Sequence, residues 1–63
     1  MNEKESIDRA YGYTVETLFR VFFEAFTSAQ GSADAEHAAK ARFQNGITHA
    51  RHVRELALAL LPK

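Results

Sequence analysis

Seven residues between Ala39 and Leu60 repeat at alternating intervals of four and three: Ala39, Phe43, Gly46, Ala50, Val53, Ala57 and Leu60. That interval keeps one line of side chains on a single side of an α-helix and matches no strand period. Ile47 and Leu61 lie beside the line and widen it. Most of the line is small, so a second helix can come close. The spacing therefore predicts a long helix built to pack against another.

A matching stripe precedes it. Ile7, Tyr11, Val15, Leu18, Phe19 and Phe22 continue into Ala25, Phe26 and Ala29 at helical intervals. Ser6 is the expected cap, with Asp8 near the positive end of the helix dipole, and residues 1–5 are expected to fray. Gly12 weakens the first turns by about 1 kcal/mol relative to alanine, which makes Thr14 a rival start. Gln30 and Gly31 stop the helix, and Ser32 caps the next, with Asp34 and Glu36 in its first turn. Pro62 ends it. The expected elements are thus a helix over about 7–29, a turn at about 30–32 and a helix over about 33–61. So short a turn makes the helices antiparallel neighbours. Asn45–Gly46 is the weak point of the second helix. The four-three register runs through it unbroken, so a continuous helix is expected.

The fold class is therefore all-α: a two-helix antiparallel hairpin in one domain. At 63 residues, with no cysteine, such a chain has neither the core nor the disulfides that usually stabilise small folds. Val21 and Phe23 flank the first stripe and widen its apolar arc to roughly 200°, against the ~100° of an ordinary surface helix. One partner helix cannot cover that arc. The expectation is a homodimer that forms a four-helix bundle. Its interface would pool Leu18, Phe19, Phe22 and Phe26 with Phe43, Ile47, Ala50, Val53 and Ala57. Val21, Phe23 and Arg54 are the expected outer contacts for another protein, with Leu56 and Leu58 as further apolar candidates.

Charge divides along the chain. Residues 1–31 carry five acids and three bases, a net −2; residues 32–63 carry three acids and five bases, a net +2. Opposite halves suit antiparallel packing, although exposed pairs contribute little. Arg54 projects close to the seam. Either its stem covers apolar surface or it pairs with a carboxylate such as Glu16 or Glu24. The acid-free run from His37 to Arg54 contains Lys40, Arg42 and Arg51, which a nucleic-acid-binding protein would use on phosphates. At ~100° per residue, however, Lys40 and Arg51 fall on one flank and Arg42 on the other.

Chemistry is not expected. His37, His49 and His52 share no metal-ligand spacing, so no metal or other cofactor is expected. There is no phosphate loop, no cysteine nucleophile and no carboxylate outside a polar face, hence no catalytic residue is assigned. Nothing resembles a secretory leader or a membrane span, and a soluble cytoplasmic protein is the expected setting. The leading functional expectation is a small non-enzymatic protein–protein interaction module: a regulator, adaptor or inhibitor. The alternatives are a nucleic-acid-binding regulator and a subunit or assembly factor of a larger complex.

Overall fold

The computed structural model describes residues 2–62. Two helices fill it: α1, Glu3–Ser28, and α2, Ala33–Ala59. They pack against each other as an antiparallel hairpin.

α1 begins four residues before the start that its apolar stripe marks. The cap is Asn2, whose side-chain oxygen accepts from the Glu5 backbone N–H at 2.8 Å, and not Ser6, which lies inside the helix. Residues 3–5, expected to fray, thus form the first turn of the helix under the Asn2 cap; Met1, also expected to fray, lies outside the described residues. The extra turn has no apolar residue to announce it. It is stabilised by Glu3 and Glu5 at the positive end of the dipole and by the Lys4–Asp8 pair at 3.0 Å, one turn apart.

The turn follows the expected chemistry. Gln30 (φ 50°) and Gly31 (φ 84°) both take the left-handed conformation, reversing the chain within three residues. Ser32 then caps α2, its hydroxyl accepting from the Ala35 N–H at 3.3 Å. α2 passes through Asn45–Gly46 without a break. It ends at Ala59, not Leu61; Leu60 and Leu61 donate to carbonyls three and four residues back, closing a tightened last turn.

At Gly46 the helices pack tightly against each other. A Cβ there would stand 2.6 Å from the nearer Leu18 methyl, so the Leu18 side chain occupies the space a larger residue would need. This contact fixes the register, and residues whose numbers sum to about 64 lie level. Phe22 meets Phe43 with ring centroids 5.0 Å apart, and Asp8 meets Arg54, in the same register.

The hairpin is a slab. Its Cα extents are 49 × 18 × 6 Å and its radius of gyration is 14.8 Å, whereas a compact domain of this length has about 11 Å. Ala39 is the only buried residue among those described.

Candidate interaction surface

The two broad faces of the slab are both apolar but differ in kind. On one, the Phe19 and Phe23 rings pack at a 40° tilt with centroids 6.3 Å apart, and Phe22 and Phe26 at a 54° tilt and 5.7 Å. Phe43 of α2 joins this row through Phe22. Phe19 is 57% and Phe23 60% exposed, while Phe22, Phe26 and Phe43 are half-buried. The packing explains the split. Phe22 rests on α2, whereas Phe23 is one residue, ~100°, further round and has nothing above it. Ile47 is half-buried one turn beyond Phe43 on the same side. Lys40 spans the end of the row, its ammonium 5.9 Å from the Phe26 ring centre, within cation–π range.

The opposite face carries a groove of about 450 Å³ along the seam, with Ala10, Thr14 and Leu18 on one wall and Gly46, His49 and Val53 on the other. Small residues make it: Ala50 and Ala57 line its floor. Val53 is 48% exposed here, and Val21 lines a smaller hollow next to it with Ala25 and Arg42. The residues expected to form one interface are thus distributed. Phe19, Phe22, Phe26, Phe43 and Ile47 share the aromatic face. Leu18, Ala50 and Ala57 lie along the seam, and Val53 lies on the groove side. Of the outer candidates, Phe23 is on the aromatic face and Val21 on the other. Leu56 is half exposed and Leu58 half-buried. Tyr13, 62% exposed, went unnoticed because it lies outside both apolar stripes.

Arg54 pairs with Asp8, its Nε donating to Oδ1 at 3.0 Å, and not with Glu16 or Glu24. The register decides this: residue 54 is level with residues near 10, whereas Glu16 and Glu24 sit one and a half turns or more away. Its guanidinium also lies 5.3 Å from the Tyr11 ring centre. The Lys4 ammonium, followed by the Arg54 guanidinium, holds the Asp8 carboxyl below the usual carboxylate range. Lys40 and Arg51 are on the aromatic side and Arg42 is beside Val21, so the three bases do not form one strip. Among the described residues, neither Arg42 nor Arg51 is in an ion pair. No group of three or more histidine or acidic side chains among them has metal-binding geometry, and no helix is long and apolar enough to cross a membrane.

Compared with protein-family models, curated proteins and solved structures, the chain matches none.

Proposed function

We propose that this chain is a small non-enzymatic interaction module that works through its helical faces, and that two copies associate into a four-helix bundle. One observation carries the reading: a single residue is buried among those described, while Phe19 and Phe23 stand more than half exposed in a continuous aromatic row. Exposed apolar side chains scattered singly are ordinary, but a contiguous row marks a surface that another molecule covers.

Area points the same way. The hairpin exposes 5069 Å², whereas a compact monomer of its mass exposes about 4,100 Å². The excess of roughly 1,000 Å² is close to the ~800 Å² that each partner contributes to a standard protein interface. Two broad apolar faces also leave one for a different protein once the other is taken, which suits a regulator or adaptor.

The test is solution mass by light scattering across a dilution series, with helicity followed in parallel. The expected result is about twice 7.1 kDa at high concentration, falling to the single-chain mass with loss of helicity. A fully folded monomer at every concentration would overturn self-association and leave both faces to a foreign protein.

A further inference from the structure

The aromatic face carries a pattern that specifies how a second copy lies on it. The inference rests on the self-association proposed above and adds its orientation.

Gly12 is the first observation. It sits inside α1, where glycine is a poor helix former, and a Cβ added to it would meet nothing within 4 Å. Nothing in its own chain requires a glycine there. Gly12, Phe19 and Phe26 are seven residues apart and so lie on one strip of the helix. Val15 and Phe23 fill the intervals. The intervals are symmetric about Phe19, and small residues stand opposite large ones: Gly12 mirrors Phe26 and Val15 mirrors Phe23.

α2 has the same property about residue 45. Glu36, Phe43, Ile47 and Arg54 follow at intervals of seven, four and seven, with Phe43 mirroring Ile47 and Glu36 mirroring Arg54. The Leu18–Gly46 contact places residues 19 and 45 at the same height in the hairpin. The two mirror centres therefore coincide, and one axis serves both helices. A twofold interface has this requirement: residue i meets j, and j meets i.

We propose that a second copy lies antiparallel on the aromatic face, α1 on α1 and α2 on α2, about a twofold axis between the two Phe19 side chains. Phe26 of each copy fills the notch over Gly12 of the other, and Glu36 comes level with residue 54 of the other, where Arg54 already holds Asp8 of its own chain. The excess surface of the hairpin matches what such a dimer needs to bury.

The absence of cysteine makes the test direct. Single-cysteine variants are oxidised and read for covalent dimers, which form where Cα atoms can approach within about 7 Å. Phe19→Cys is expected to cross-link to itself. Gly12→Cys and Phe26→Cys are expected to cross-link when mixed and not when alone. Self-linking of each alone would show a parallel pair, and linking at Val21→Cys but not at Phe19→Cys would move the interface to the groove; either overturns the proposal. A second variant guards against local disruption. Gly12→Leu favours the helix but fills the notch, so the dilution midpoint should rise by about tenfold or more while the helicity of the concentrated sample is undiminished. An unchanged midpoint overturns the notch. A wild-type chain that stays monomeric in light scattering refutes self-association itself, a different failure from a dimer of another orientation.

Discussion

At the scale of single residues, the hairpin depends on one glycine. The Leu18 methyl sits where a Gly46 side chain would begin. Gly46→Ala gains up to about 1 kcal/mol of helix propensity but forces Leu18 or the whole helix aside, at about 1–3 kcal/mol. The expected outcome is a net loss of up to about 2 kcal/mol in urea unfolding. In a Leu18→Ala background the clash is gone, and the same change should stabilise. That reversal of sign is the coupling a double-mutant cycle reads. Asp8 gives a pH signature. Its carboxyl is held low by Lys4 and Arg54, so its contribution is complete above the unfolded value of about 3.9 and is lost as pH falls through the lower folded value. Thermal melts of wild type and Asp8→Asn should differ by a constant margin near neutrality and converge at acid pH. That Arg54 either covers apolar surface with its stem or pairs with a carboxylate was legible from its position near the seam, and the structure shows the pair. Which acid it finds was not, because angle around a helix says nothing of height along its partner; the Leu18–Gly46 contact supplies the height.

At the scale of elements, both helices and the turn were legible because periodicity and turn chemistry agreed. The register through Gly46 kept α2 whole. Gln30, Gly31 and Ser32 supply a stop, a left-handed residue and a cap in order. Gly31→Ala should cost about 1–2 kcal/mol, since a side chain strains that backbone, and a thermal melt will show it. The beginning of α1 was illegible. Asn2 and Ser6 are equally good caps, and the three residues between Asn2 and Ser6 are charged, so no apolar interval chooses between them. The dipole and the Lys4–Asp8 pair make the choice, and these are small electrostatic effects that a hydrophobic stripe does not report.

At the scale of the molecule, a slab one helix layer thick has nowhere to hide a side chain. The sequence showed that the apolar arc was too wide for one partner helix, but it pooled Val53 with the phenylalanines. Arc width alone does not say which flank turns to which face; only the pairing of α1 with α2 separates them. If assembly completes the fold, the melting temperature must rise with protein concentration. A hundredfold increase stabilises an assembled pair by about 2.7 kcal/mol, a shift on the order of 10 °C for two chains of this length. A monomer would show none, and differential scanning calorimetry at two concentrations decides. The two-residue reversal at Gln30 and Gly31 has a kinetic consequence. Level residues are brought together outward from the turn, so each new contact closes only a small additional loop, and the hairpin should zip on the microsecond scale of helical folds. Encounter of two chains is then the slow event. Refolding should be second order, fast in concentrated solution and slow in dilute, with the rate set by collision frequency and not by any search within the chain.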